Sequence, residues 1–311
     1  LYYLSQFDFV KIWKMKKDYF VSAIAFNGKI RAIATSTTQL VQEGCQRHQT
    51  LPTASAALGR TLTAGILFAS NLKGEEKYTV RIAGDGPIGE IVIDANAFGQ
   101  VRGYVHNSQV HFPANAKGKL DVARAVGTKG LISVVKSFGP EYNFTGQTPI
   151  ISGEIAEDLA SYLVNSEQIP SALALGVLVN PDGRIAASGG YLIQAMPGCD
   201  DAALTQMEEV IKLAKPISTL LFEGKTPEDV LKTLIPEKDL VFLGTKDISF
   251  KCRCSRERTE STLKLLGKDE LLDMIKVQHG ADVHCNFCSE HYQFTEQELK
   301  NIILQLDQKQ H

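Results

Sequence analysis

Four of the six cysteines fall in two tight pairs, Cys252 and Cys254 in KCRCS and Cys285 and Cys288 in HCNFCS. These pairs restrict the fold more than any other feature, because one metal ion shared by both would have to bring residues 252–254 and 285–288 together. Zinc takes four tetrahedral ligands, and thiolate is favoured in structural sites. Cys285-x-x-Cys288 has knuckle spacing, in which backbone N–H groups can point at the sulfurs. Cys252-x-Cys254 is one residue tighter, but residues i and i+2 of a strand share a face, so both sulfurs can reach one ion. The intervening residues 255–284 leave room for a helical excursion. His279, His284 and His291 lie nearby; with four thiolates available they are expected to be surface or turn histidines.

Redox chemistry competes with metal binding at such a site. A Cys-x-Cys disulfide closes a small, strained ring, which suits a labile bond rather than permanent architecture. Oxidation would also consume the metal ligands. Structural zinc supplies on the order of 10–16 kcal/mol of apparent binding energy, so its loss should unfold a unit of about sixty residues. The reading is therefore both in turn: one zinc when reduced, disulfides when oxidised. Around the clusters, Lys246, Lys251, Arg253, Arg256, Arg258, Lys264 and Lys268 outnumber Asp247, Glu257 and Glu260. Cations close to a thiol lower its pKa. A solvated basic face and a nucleic-acid-binding zinc ribbon are the other readings of that charge.

The 311 residues carry 33 Lys+Arg, 35 Asp+Glu and a net charge of −2, with 44 % hydrophobic residues. That is enough for a sizeable core and two or three units, and it excludes a chain-wide basic surface. No run of eighteen apolar residues suggests a membrane span. Residues 1–14, which include Trp13 and precede Met15, make a poor signal peptide and read as an upstream extension or expression remnant. The cytoplasm is then the expected compartment, where thiols stay reduced.

From about residue 15 to 194 the text reads as an α+β core of largely antiparallel sheet with packed helices. Asn27-Gly28 and Pro181-Asp182-Gly183 signal hairpins. Strands are expected at KYTVRIAG, GEIVIDAN, QVRGYVHN, LISVVKSF and QTPIISG, and a helix at 154–167. A long buried helix is expected over 53–72, capped by Thr53 or Ser55 and ended by Gly74. Residues 195–247 read as a metastable linker of short amphipathic helices. Pro216, Gly224 and Pro236 break it, and Thr226-Pro227 with Asp229 starts its third helix. Leu204, Met207, Val210 and Ile211, followed by Leu220, Leu221 and Phe222, form an apolar stripe, the candidate cover of the surface on which these short helices must pack. Residues 248–311 read as a small zinc-binding redox-switch domain built on the four clustered cysteines. It carries helices at 256–266 and 268–276 and a terminal helix with a Thr295/Glu298 capping box. Cys45 and Cys199 are expected to be buried, inert thiols. No Ser-His-Asp set or P-loop pattern is recognisable, and His48, His106 and His111 are expected to be satisfied polar groups, so no catalytic residue is assigned.

The chain resembles the redox-regulated 33-kilodalton heat-shock chaperone (chaperonin) family of bacteria, from Met15 to about Leu306. The resemblance is carried by EGCQRHQTLPTASAALGRTLTA, GDGPIGEIVIDANAFGQVRGYV, GKLDVARAVGTKGLISVVK, FTGQTPIISGEIAEDLASYL and the two cysteine clusters. It implies a non-enzymatic, ATP-independent stress-response holdase, inactive while reduced and zinc-bound. Peroxide with heat, or hypochlorous acid, is then expected to close Cys252–Cys254 and Cys285–Cys288. Zinc is released, small domain and linker unfold, and unfolding client proteins are bound by a form expected to be a homodimer, with no part for nucleotide, nucleic acid or membrane. The rival readings are a constitutive zinc-ribbon protein that binds nucleic acid and an enzyme with a structural zinc. The acidic pI near 6.4 and the missing interleaved aromatics weigh against the first, the missing acid/base motif against the second.

Overall fold

The computed structural model describes residues 17–115, 118–139 and 142–309, except the side chains at 201–204, 206, 208 and 309. Residues 1–14, Trp13, Met15 and the Leu204 side chain therefore lie outside the described residues. Strands β1 (Tyr19–Ala25) and β2 (Ile30–Ser36) form the expected hairpin. Phe26, Asn27 and Gly28 in its turn all take positive φ, which Asn and Gly tolerate best. Helices α1 (Thr38–His48) and α2 (Pro52–Ala69) follow, then β3 (Lys77–Gly84), β4 (Glu90–Asn96), β5 (Gln100–Val105), α3 (Val122–Val126), β6 (Gly130–Ser137), β7 (Asn143–Pro149), α4 (Ile155–Asn165), β8 (Ser171–Val179) and β9 (Ile185–Ala195).

The remaining elements are helices α5 (Asp201–Leu213), α6 (Ile217–Phe222) and α7 (Pro227–Leu234), a 3-10 turn at Glu237–Asp239, strands β10 (Leu240–Asp247) and β11 (Ser249–Phe250), helices α8 (Arg256–Leu266) and α9 (Lys268–Gln278), the hairpin β12 (Gly280–His284) and β13 (His291–Thr295), and α10 (Glu296–Lys309). One sheet runs β10-β1-β2-β9-β8 and the other β11-β5-β4-β3-β6-β7, with β12-β13 apart. Every pairing is antiparallel except β11 with β5. The fold is α+β, as the sequence implies.

α2 is the central helix. All its residues but Pro52 and Arg60 are buried, because it lies between the two sheets, in one core with Ile33 and Leu192 from the first and Val80, Ile82, Ile91 and Ile93 from the second. A helix buried on all sides needs small residues where neighbours approach. A Cβ at Gly59 would sit 2.5 Å from Val41, and one at Gly65 would sit 2.5 Å from Ile93. Its caps differ from expectation. Leu51 is the N-cap, Pro52 takes the first turn, and Ser70 ends the helix. Thr53 bonds instead to Phe112 and His111, and Ser55 pairs with Thr50.

The other face of the first sheet explains the linker. Val21, Ala23, Ala25, Ala32, Ala34, Tyr191 and Ile193 form a second core with Met207, Ile217, Leu220, Val230, Leu231 and Leu234. Helices α5–α7 thus roof a sheet face paved with small residues. Gly176 would place a Cβ 2.8 Å from the Ser218 nitrogen, and a Cβ at Gly189 would collide with Leu221. Of the candidate cover residues, Met207 and Leu220 are buried; Val210, Ile211 and Leu221 pack at the edge of this core; and Phe222 is 56 % exposed. α7 has the full capping box, with Thr226 accepting from the Asp229 N–H and Asp229 accepting from the Thr226 N–H, and the Tyr19 hydroxyl donates to Glu228 across 2.7 Å.

Two segments depart from the sequence reading. Residues 240–247, read as helical linker, form edge strand β10 on β1. The strand expected at QTPIISG begins earlier, at Asn143, and stops at Pro149. α1 has no counterpart in the sequence reading. Its first turn is capped from a distance: Asp18 Oδ2 accepts from the Leu40 N–H at 2.7 Å, while the Asp18 carbonyl accepts from the Ile248 N–H.

Candidate metal centre

β11 ends at Phe250, and the extended residues after it bring Cys252 and Cys254 to the turn between β12 and β13. The Cys252 and Cys285 sulfurs are 3.7 Å apart, those of Cys254 and Cys288 3.3 Å. All four sulfurs lie within 4.8 Å of one another. Tetrahedral zinc with Zn–S near 2.3 Å spaces its sulfurs about 3.8 Å apart; the Cys252–Cys285 pair stands close to that separation, and the four cysteines are close enough to hold a metal ion.

The backbone prepares the site. Ser289 N–H donates to the Cys285 carbonyl at 2.8 Å and closes the knuckle. Backbone N–H groups two residues on favour the ionised form of three of the thiols: Cys254 for Cys252, Phe287 for Cys285 and Glu290 for Cys288. Burial works against ionisation of Cys252, but the bonds from Arg102 and from the Cys254 N–H outweigh it and bring this thiol down to about 7. Burial, with neighbouring thiols adding to it, pushes Cys285 and Cys288 up. Four thiolates side by side need a multivalent counter-charge, which a divalent ion supplies.

The cation on the thiols is not one of the expected flanking residues. Arg256 pairs with Glu298, Lys264 with Glu260, Lys268 with Asp307, and Lys246 donates to the Ala97 carbonyl. Arg102 on β5 is the residue that donates to Cys252 Sγ, at 3.4 Å and 150 positions away in sequence. The same guanidinium is held by Asp94 at 2.8 Å and stacks over the Phe287 ring at 4.0 Å. Tyr104 meets Phe287 edge-on. His48 on α1 also reaches the knuckle, contacting the Phe287 carbonyl at 3.2 Å and Ser289 Oγ at 2.9 Å. Arg47 pairs with Glu290. Cys288 itself is 3 % exposed and belongs to the main core. The centre is thus docked on β5 and α1, and His48, expected to be an ordinary satisfied polar group, is part of that dock.

Replacing Arg102 by Ala removes a charge-assisted bond and a cation–π contact, together about 2 kcal/mol or more. Amide exchange in β11, β12 and β13 should then accelerate about thirtyfold while β3 and β4 stay protected. Unchanged exchange in the hairpin would show that Arg102 does not hold the dock.

The other sequence-derived candidates lie elsewhere. Cys45 is buried as expected; Cys199 is only half-buried, a correction that follows from its place in the turn after β9. His111 contacts Thr53, and His106 is exposed. His279 contacts Glu296. His284 and His291 converge with Asp282 on the hairpin, apart from the thiols.

Fold and site together define a class: a two-sheet α+β protein with a C-terminal tetracysteine centre docked on its core. The comparisons identify the family. The Hsp33 protein family matches residues 18–295. The 33 kDa chaperonin of Bacillus subtilis (strain 168) is 52 % identical over 285 residues, covering 92 % of this chain and 98 % of that protein. The 33 kDa chaperonin of Staphylococcus haemolyticus (strain JCSC1435) is 49 % identical over 293 residues, covering 94 % and 100 %. The crystal structure of the 33 kDa chaperonin (HSP33) from Thermotoga maritima superposes with a TM-score of 0.87 at 37 % identity, covering 94 % of this chain and 99 % of that one. The chain belongs to the Hsp33 family of chaperones. Among the described residues no helix is long and apolar enough to cross a membrane.

Proposed function

We propose that this chaperone is a cytoplasmic, redox-switched, ATP-independent holdase for unfolding proteins. While reduced it binds one Zn2+ through Cys252, Cys254, Cys285 and Cys288 and is inactive. The bound ion supplies a crosslink between the β11 end and the hairpin. The observation that carries the reading is continuity. The roof helices α5–α7 run through β10 and the two-residue β11 directly into Cys252, so the cover of an apolar sheet face and the thiol centre share one strand of chain.

Oxidation acts on that connection. Each disulfide takes two thiolates, and their two electrons reduce one peroxide to two waters with two protons taken up. A sulfur in a disulfide is no longer a thiolate ligand, so oxidation of the sulfurs releases the metal. Arg102, with a side chain only 19 % exposed, then loses its anionic partner at Cys252. β11 itself pairs with β5 at only two positions, and a cleft of about 1640 Å³ is lined both by Leu221–Lys225, at the end of α6, and by Asp247–Phe250. Helices as short as α6 and α7 hold only while packed. Their release uncovers the alanine-rich sheet face and the stripe of Met207, Val210, Ile211, Leu220, Leu221 and Phe222 together, with Leu204 in the same sequence stripe. We assign this combined surface to client binding by an active form that is a homodimer.

The family resemblance supports disulfides within each cluster, Cys252–Cys254 and Cys285–Cys288. Peptide mapping of oxidised protein tests this pairing. The reading as a whole is tested by counting thiols and zinc before and after peroxide at elevated temperature. Loss of four thiols with release of the bound zinc is expected. Full retention of zinc would instead mark a constitutive structural site, as in a nucleic-acid-binding zinc ribbon.

A further inference from the structure

We propose that the β12–β13 hairpin carries a second metal site, formed by Asp282, His284 and His291 and suited to a divalent late transition ion such as zinc. It uses none of the cysteine ligands. The hairpin register sets His284 directly opposite His291. Asp282 precedes His284 by two residues on the same strand, so the three side chains share a face. The two imidazole centroids are 3.6 Å apart. His284 Nε2 lies 3.7 Å and His291 Nδ1 lies 3.5 Å from the same oxygen, Asp282 Oδ1. One donor atom from each residue falls within a common 4.8 Å.

The two nitrogen–oxygen separations suit a ligand set as well as a loose ion pair, and the imidazoles, packed 3.6 Å apart, have to turn apart to aim both nitrogens at one ion. A direct charge-assisted N–H···O bond closes to about 2.7–2.9 Å. Donors held at about 2.0–2.1 Å around a tetrahedral ion stand about 3.3 Å apart, close to what is seen. Two imidazoles and one carboxylate suit zinc, copper or nickel, whereas magnesium and calcium take oxygen donors. The side chains are 48–55 % exposed, so water completes the coordination and the ion exchanges readily. The knuckle bonds from Ser289 N–H to the Cys285 carbonyl and from Cys285 N–H to the Glu290 carbonyl fix the strand register and thereby the spacing of the donors. An ion here ties β12 to β13 just before Cys285 and just after Cys288. Its donors are not thiols, so peroxide that consumes the cysteines leaves them chemically intact.

The test is zinc titration of the full chain in a non-thiol reductant, starting from protein carrying one zinc, read by native mass spectrometry and calorimetry. Wild type should take up a second equivalent that a mild chelator removes before the first. His284→Gln and His291→Gln should each weaken the second equivalent by more than the roughly 10–100-fold that losing an outer-shell partner costs, Asp282→Asn should weaken it too, and all three should keep the first. His279→Gln, beside the same hairpin but outside the set, should bind two. Saturation of wild type at one zinc, a second equivalent unchanged in both histidine variants, or loss of the first equivalent along with the second would each overturn the proposal.

Discussion

A full-length Leu220→Glu variant, kept reduced and zinc-loaded, should suppress aggregation of a heat-denatured client that the reduced wild type leaves to aggregate. Leu220 is 7 % exposed, in the core between α6 and the first sheet. A carboxylate there has no partner, and an unpaired buried charge costs several kcal/mol. Two-state docking shifts about tenfold for every 1.4 kcal/mol, so the undocked roof gains orders of magnitude in population. Val210→Glu, at the edge of the same core, should act in the same direction with a smaller effect. Zinc content should remain that of wild type, since neither residue touches the thiols. The informative opposite is a variant whose linker is cut readily by protease, whose zinc is retained and which protects nothing. Roof release would then not be the activating step.

The second large effect concerns the ligands. Cys252→Ser, Cys254→Ser, Cys285→Ser and Cys288→Ser should each deplete zinc from the reduced protein, whereas Cys45→Ser and Cys199→Ser should keep one zinc per chain. Apparent zinc binding of about 10–16 kcal/mol exceeds anything the small core of Leu263, Leu271, Phe294, Leu299 and Ile302 can offer alone. Amide protection over 251–309 should therefore collapse in the four variants while α2 and the two sheets keep theirs. Cys288→Ser should do most damage, because its side chain also fills the main core beside Phe250. Zinc affinity undiminished in all four would refute the ligand set.

Local chemistry made much of this architecture legible. Asn27-Gly28, the Thr226 cap and the Thr295/Glu298 box act over a few residues, and each stands where its sequence puts it. The convergence of the four cysteines was legible because two close pairs at that spacing can share one ion. What escaped depends on distant partners. β10 is exposed along seven of its eight residues, so it lacks the alternation of a half-buried strand, and it is a strand only because β1 offers its edge. α1 buries just Leu40, Val41, Gly44 and Cys45, and its cap comes from Asp18 in another element. Arg102 and His48 read as ordinary polar residues of a strand and a helix. Only the fold sets them against Cys252 and the Phe287–Ser289 turn, while Arg256, Lys264 and Lys268, which stand out in the sequence, pair with other partners.

The switch itself is tested most directly by light scattering from a thermally denaturing client, without nucleotide, in the presence of reduced zinc-bound protein and of the same protein after peroxide treatment at elevated temperature. The account predicts that reduced protein leaves the client to aggregate, that oxidised protein holds it in solution, and that restoring reductant and zinc returns the first result. Equal protection by the two forms, or protection by the reduced form alone, would contradict it.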